Sequence, residues 1–502
     1  MSMRSTEGKV FWIGIGFGAP EELTARARDL LRCADTVAAE SPFPIRLRRF
    51  LKPDARLRLI EQKTSLSARE TAAELAREAR AGRVVVRAVY GDPLESPRAV
   101  QEITALARGK TPYEALPAVS LSSLAVRAAG ASPDAVLRLP PEAGGKSRPL
   151  QLRLPSDAVV SAPVRGGNVP AAAKRLMTAG LPPETPAAAV GRSAWGGPTL
   201  AADTLGVFAA QGAAGLHPPL VLVTGKAPAP RRKPPAAFPK PLAGLRIVVT
   251  RAREQAEELI DLLEDRGATA LLLPCLRIVP PRRTDILEEA LDGLGSYDWI
   301  LFTSVNGVEA FFERFFARFG DARSLGGARI AAVGPKTAER VKAYRLGVDL
   351  VPERHTGAAL AQALRKHMSL ENLRILLPRA EKAPPDLPQA LEDMGAIVDD
   401  IACYRVVRET QDEEALRVFL EEGADWATFA SPSAVEALAA RAPLPELAAR
   451  FPALRFAAIG PETAAALEAR GARPHATARP HTAEGLVAAI EERETKDRLH
   501  RD

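Results

Sequence analysis

Hydroxyl side chains recur in the C-terminal half wherever an apolar run gives way to a helical pattern. Ser304 follows Trp-Ile-Leu-Phe-Thr, and Ser431 and Ser433 follow Trp-Ala-Thr-Phe-Ala. Thr337 and Thr463 stand just behind Gly-Pro turns, and Thr356 and Thr482 precede further helical stretches. Any one of them is first a helix N-cap, accepting from unpaired N–H groups. Several at matching strand ends of two lobes allow more. Helix N-termini and hydroxyls directed into one cleft would hold several anionic groups. A hydrolase triad is not recognisable, and the histidines (217, 355, 367, 475, 481, 500) lack metal-ligand spacing. No GxxxxGK[ST] phosphate loop occurs. Chemistry here would rest on shaping and charge stabilisation rather than on a strong nucleophile. In the N-terminal half, the turn Gly14-x-Gly16-x-Gly18 follows a strand-like run, where glycines permit close backbone approach to a ligand. By itself that spacing discriminates little.

The hydroxyls recur because the chain does. Asp298-Trp299…Ser304 returns 127 residues later as Asp425-Trp426…Ser431, and Gly334-Pro335-Lys-Thr337 returns after 126 as Gly460-Pro461-Glu-Thr463. His355-Thr356 returns as His481-Thr482, and Arg251 with Gly267-Ala268 as Arg379 with Gly395-Ala396. The unit is too long for a solenoid, so it implies two homologous lobes. Ile247–Thr250, Ala270–Leu273, Trp299–Phe302, Ile330–Val333 and Val348–Val351 have the pattern of buried strands. Glu254–Arg266, Asn306–Phe319, Lys336–Leu346 and Gly357–His367 have helical spacing between them. Alternation of this kind predicts doubly wound parallel sheets, with ligand at the carboxyl ends of the strands. The N-terminal half is also α/β. Its expected strands are Val10–Ile13, Val84–Val89, Ala158–Ser161, Ala187–Val190 and Leu220–Val223; its expected helices are Ala68–Ala81, Ala171–Ala179 and Leu200–Gln211. A Pro/Gly-rich stretch at 138–156 is expected to join two subdomains.

The chain has 502 residues, for which about three domains are the natural expectation. A hydrophobic fraction of 46% and a charged fraction of 26% exclude disordered and fibrous classes. The net charge of +7 is spread along the chain and aromatics are 5%, which argues for an anionic small substrate over nucleic acid. No apolar run suits a membrane span or a signal peptide, and three scattered cysteines suit a reducing compartment, so a cytoplasmic location is expected. Between Ala227 and Leu245 lie six prolines, four basic residues and no acid. This predicts an extended linker over 227–241, separating a domain at 8–226 from one at 242–492.

The C-terminal motifs carry a resemblance. TSxNGVEAFF after the Asp-Trp strand, the paired VGPxTA and IGPxTA turns, TRAREQAEEL, LLPRAE and CYRVV together resemble the uroporphyrinogen-III synthase family from about Leu242 to Glu492. The resemblance implies two interleaved lobes, 242–280 with 405–492 and 282–402. It implies cyclisation of hydroxymethylbilane without a cofactor: the terminal hydroxyl leaves, the last ring attacks through a spiro intermediate, and the macrocycle closes with that ring inverted. Tyr404 falls on the family's tyrosine and becomes the candidate proton donor, since a phenol is protonated at neutral pH. Ser304, Thr337, Ser431, Ser433 and Thr463 fall on positions that line the family's cleft. Arg251 and Arg379 end strands in matching places and could hold substrate carboxylates or form ion pairs.

The N-terminal half resembles the tetrapyrrole methylases through KVFWIGIGFGAPEELT, VRAVYGDP and TLGVFAAQGAAGLHPPLVLVTG. That resemblance implies two α/β subdomains and S-adenosylmethionine held near Gly14, Gly16, Gly91, Asp92 and Pro93. The departures are specific. Ala19 stands where the family has Asp, Tyr90 replaces a glycine, and Pro117-Ala118-Val119 replaces Pro-Gly-Val. The expectation is a degenerate methylase with doubtful cofactor binding, fused to a synthase. Two alternatives stay open: a bifunctional synthase and methyltransferase, and a non-catalytic two-lobed tetrapyrrole-binding protein. Other tetrapyrrole-pathway enzymes are the candidate protein partners.

Overall fold

A computed structural model describes residues 8–52, 54–60, 67–131, 136–139, 159–164, 167–225, 240–409 and 413–499. The linker expected at 227–241 and the joining segment at 138–156 fall almost wholly outside the described residues. The N-terminal half forms two five-stranded sheets. In the first, β1 (Val10–Gly14), β2 (Thr36–Glu40), β3 (Arg56–Ile60), β4 (Val85–Val89) and β5 (Tyr113–Ala115) run parallel in the order β3-β2-β4-β1-β5. In the second, β6 (Val136–Arg138), β7 (Val159–Val164), β8 (Pro186–Arg192), β9 (Pro198–Thr204) and β10 (His217–Gly225) follow the order β6-β7-β10-β8-β9. Its β7, β10, β8 and β9 pair antiparallel. One expectation fails here. Residues 200–204 belong to β9 and not to a helix, because a turn at Gly196 and Gly197, both at positive φ, folds them back on β8. The helix begins only at Leu205, capped by the Thr204 hydroxyl.

The C-terminal half continues with β11 (Arg246–Val249) and β12 (Thr269–Leu272). Then come β13 (Leu276–Val279), β14 (Trp299–Phe302), β15 (Arg329–Ala332), β16 (Arg374–Ala380) and β17 (Ile397–Arg408), followed by β18 (Trp426–Phe429), β19 (Arg455–Ala458) and β20 (Pro474–Thr477). The helices that matter for the site are α1 (Arg253–Asp265), α2 (Val305–Phe319), α3 (Pro335–Ala343), α4 (Pro432–Ala439) and α5 (Pro461–Ala469). One sheet is fully parallel, β12-β11-β18-β19-β20; the other is β13-β17-β16-β14-β15, parallel except at β13. The lobes therefore interleave, but the crossover differs from expectation. Strand β13 pairs with the last four residues of β17, so 276–279 and 405–408 belong to the second lobe rather than the first. Val348–Val351 is not a full strand either: Leu350 makes a single bridge to Ala331.

The inner strands β11, β18, β14 and β16 are mostly buried, each dominated by an apolar run covered on both faces. Trp299–Phe302 is buried throughout, and Phe302 packs against Phe311, Phe312 and Phe315 of α2, all fully buried. Burial of one such ring contributes roughly 1.5–3 kcal/mol. The first lobe gathers Ile247, Val249, Leu259, Ile260, Leu263 and Trp426 around the same kind of core. Among the described residues, no helix is long and apolar enough to cross a membrane.

Candidate active site

The phenol of Tyr404 lies 3.1 Å from the Ser304 hydroxyl, and Tyr404 is 7% exposed. Two local devices bring these residues together. Ser304 follows β14 and caps α2, its Oγ accepting from the Gly307 N–H at 3.0 Å. Tyr404 is aimed by a register shift: Arg379 faces Ala402 while Ala380 faces Tyr404, so the pairing skips Cys403. The extra residue lets Cys403 and Tyr404 enter the same core rather than opposite faces. Helix α2 can come this close only because position 307 is glycine; a Cβ there would stand 2.9 Å from the Pro378 carbonyl oxygen.

Thr337 and Thr463 occupy matching places in the two lobes, third in α3 and α5, at 6% and 2% exposure. Neither hydroxyl makes a hydrogen bond among the described residues, and the Gly334 and Gly460 caps lend no side chain. The repeated histidines lie against those glycines, His355 on Gly334 and His481 on Gly460, 3.3 Å from where a Cβ would be. Ser431 caps α4 by accepting from the Ala434 N–H, and Ser433 is exposed two residues further on.

The two arginines part company. Arg379 is 5% exposed and already occupied: Nε donates to Asp400 Oδ1 at 2.6 Å, Nη2 to the other oxygen, and Nη1 to the Pro384 carbonyl. Its fork is spent on the fold, which tells against the carboxylate-binding role expected for it. Asp400 was not foreseen, since nothing in the spacing marks it as a partner. Arg251 donates to Gln255 Oε1 at 3.3 Å, and no carboxylate pairs with it among the described residues. Burial pulls its guanidinium below the ordinary value. The thiols of Cys275 and Cys403 are pushed up to about 12 by burial, which leaves them inert as nucleophiles at neutral pH.

In the N-terminal half the glycine-rich turn is filled by its own chain. Glu22 Oε2 accepts from the Phe17 N–H at 2.7 Å and the Ala19 N–H at 3.2 Å. Burial pushes its carboxyl up to about 7. Ala19 thus removes one acid, and Glu22, unremarked in the sequence, brings another into the turn. A Cβ at Gly14 would fall 2.1 Å from Gly91 O and 2.2 Å from Ala118 Cβ, and Gly91 donates to Gly16 O. Asp92 is committed as well, accepting from Leu94 N and Ala118 N at 2.8 Å, while Pro93 is buried. The Tyr90 ring is buried and its hydroxyl donates to Pro42 O at 2.6 Å.

Comparison with known proteins finds relatives of both halves. A family model for uroporphyrinogen-III synthase HemD matches residues 257–488, and one for tetrapyrrole (corrin/porphyrin) methylases matches 9–208. The porphyrin biosynthesis protein HemD of Ruminiclostridium josui is 26% identical over 367 residues, 71% of this chain and 72% of that protein. A putative uroporphyrinogen-III synthase of Methanothermobacter thermautotrophicus is 33% identical over 249 residues, 49% of this chain and 96% of that protein. A crystal structure of a mutant uroporphyrinogen III synthase from Thermus thermophilus is 23% identical, covering 50% of this chain and 99% of that one at a TM-score of 0.37.

Proposed function

The chain belongs to the uroporphyrinogen-III synthase family, and on that premise we propose that its C-terminal half cyclises hydroxymethylbilane with Tyr404 as proton donor. The observation that carries this reading is the Ser304–Tyr404 pair. Ser304 already accepts from Gly307, so its single hydrogen is available for the Tyr404 oxygen. That arrangement leaves the phenol proton free for the departing hydroxyl. As the carbon–oxygen bond breaks, the hydroxyl takes this proton and leaves as water. The last pyrrole ring then attacks the exposed methylene carbon, and the spiro intermediate reopens to close the inverted macrocycle; the ring carbon that forms the last bond releases its hydrogen as the proton that restores the phenol. Arg251 is the cation we assign to a substrate carboxylate; Ser433 and the hydroxyls of Thr337 and Thr463 are the further contacts.

The N-terminal half, on the same reading, takes no S-adenosylmethionine. A sulfonium cofactor needs open backbone donors and room beside the turn. Glu22 occupies two of those donors and the Tyr90 ring fills the place of a glycine. Incubating the purified protein with hydroxymethylbilane, with and without S-adenosylmethionine, tests both statements. The expected product is the unmethylated type III isomer in both arms. Type I isomer alone, which forms spontaneously, would overturn the synthase assignment, and methylated product would overturn the second statement.

A further inference from the structure

The N-terminal half carries an ionic surface that no cofactor chemistry requires. The short 3-10 helix Ile45–Phe50 holds three arginines, Arg46, Arg48 and Arg49. The side chains of Arg46 and Arg49 are only 4% and 9% exposed. Guanidinium groups taken out of water are strongly unfavourable unless a carboxylate and good hydrogen bonds meet them. Here one carboxylate meets both. Glu264 of α1 accepts from Arg46 Nη2 at 2.6 Å through one oxygen and from Arg49 Nη2 at 2.9 Å through the other.

The rest of α1 continues the match. Glu257, Asp261 and Glu264 recur at the spacing of a single helix face. Arg32 pairs with Glu257, and Arg49 reaches Asp261 at 3.6 Å. In the opposite sense, Arg253 donates to the Arg48 carbonyl at 2.8 Å, and Arg48 pairs with Glu414. The second N-terminal subdomain joins in, with Trp195, 3% exposed, lying 5.7 Å from the Arg246 guanidinium of β11. The arginine contacts of Arg32, Arg46, Arg48 and Arg49 join residues more than 200 positions apart, and Trp195 and Arg246 are 51 apart, so helix-local pairing explains none of them. A merely solvated acidic face would not bury its arginines.

We propose that the Arg46–Arg49 turn is a docking surface for the acidic face of α1, and that the N-terminal half holds the first synthase lobe in register through it. The domain then serves by position rather than by group transfer. This role is independent of the synthase assignment, because it concerns how one part of the chain grips another.

The test keeps the full chain and adds a protease site within the proline-rich linker. After cleavage, the two pieces should co-elute on gel filtration at about 0.1 M salt, because buried pairs are poorly screened. Glu264→Arg should make them separate, and adding Arg46→Glu and Arg49→Glu should bring them back together. Glu264→Gln, which keeps size and removes charge, covers the case in which the reversal misfolds; it should weaken reassociation at least tenfold. Separation of the parent pieces, or co-elution unchanged in Glu264→Gln, would overturn the proposal.

Discussion

At the Ser304 oxygen, one lone pair is taken by the Gly307 N–H and the neighbouring phenol lies 3.1 Å away. The synthase reading needs the Tyr404 proton to point onward, so removing the phenol oxygen should slow the reaction and spare the fold. Tyr404→Phe keeps the buried ring and should lower the rate of type III formation by about 10²-fold or less, since positioning carries much of such a cyclisation. A single-turnover rate equal to the parent's would remove the phenol from the chemistry. Glu22 makes a separate statement about pH. Its carboxyl is raised from 4.5 to about 7 in the folded protein, so the native state binds more protons than the unfolded one between those values. Stability therefore falls as pH rises through that window, by up to about 3 kcal/mol. Glu22→Gln can still accept from Phe17 and Ala19 but cannot ionise. Urea unfolding should find it close to the parent at pH 4.5 and more stable than the parent at pH 8; an equal gap at both would refute the assignment.

The elements place the site by close approach. Gly307→Ala would put a methyl 2.9 Å from the Pro378 oxygen and 3.4 Å from Ser304 Oγ. Helix α2 would have to lift away from β16, at a cost of about 1–3 kcal/mol that exceeds the gain in helix propensity. We expect a lower unfolding midpoint and slower cyclisation together, and a variant as stable as the parent would contradict this geometry. What the sequence makes legible follows from the same physics. Buried parallel strands such as Trp299–Phe302 show as unbroken apolar runs, and hydroxyls at their ends mark the caps, so Ser304, Ser431 and the repeated Gly-Pro turns were visible. Pairings that depend on distant neighbours were not. Nothing in the local pattern shows that Cys403 is skipped in the ladder, that Asp400 takes the Arg379 fork, or that Glu22 folds back on the turn. The Leu200–Thr204 stretch reads as the start of a helix until its neighbour β8 claims it.

At the scale of the whole chain, the lobes draw their strands from one half only. Among the described residues, every strand of the two C-terminal sheets lies between Arg246 and Thr477, and none is lent by the N-terminal half. Their hydrophobic cores are likewise assembled from residues after 241. A fragment spanning 241–502 should therefore fold and form the type III isomer. It should do so with reduced stability, because Glu264 loses both arginine partners. The loss is limited by solvent: in the fragment the Glu264 carboxylate regains water, whereas in the intact chain a Glu264→Gln change leaves two buried cations with only their longer contacts, Arg46 to Glu21 at 3.4 Å and Arg49 to Asp261 at 3.6 Å. The intact variant should then lose more of its first unfolding transition than deletion of the whole N-terminal half removes from the lobe. Thermal unfolding of the parent, the variant and the fragment checks this order. A fragment that fails to fold would show that the lobe depends on its neighbour for more than the ionic contact.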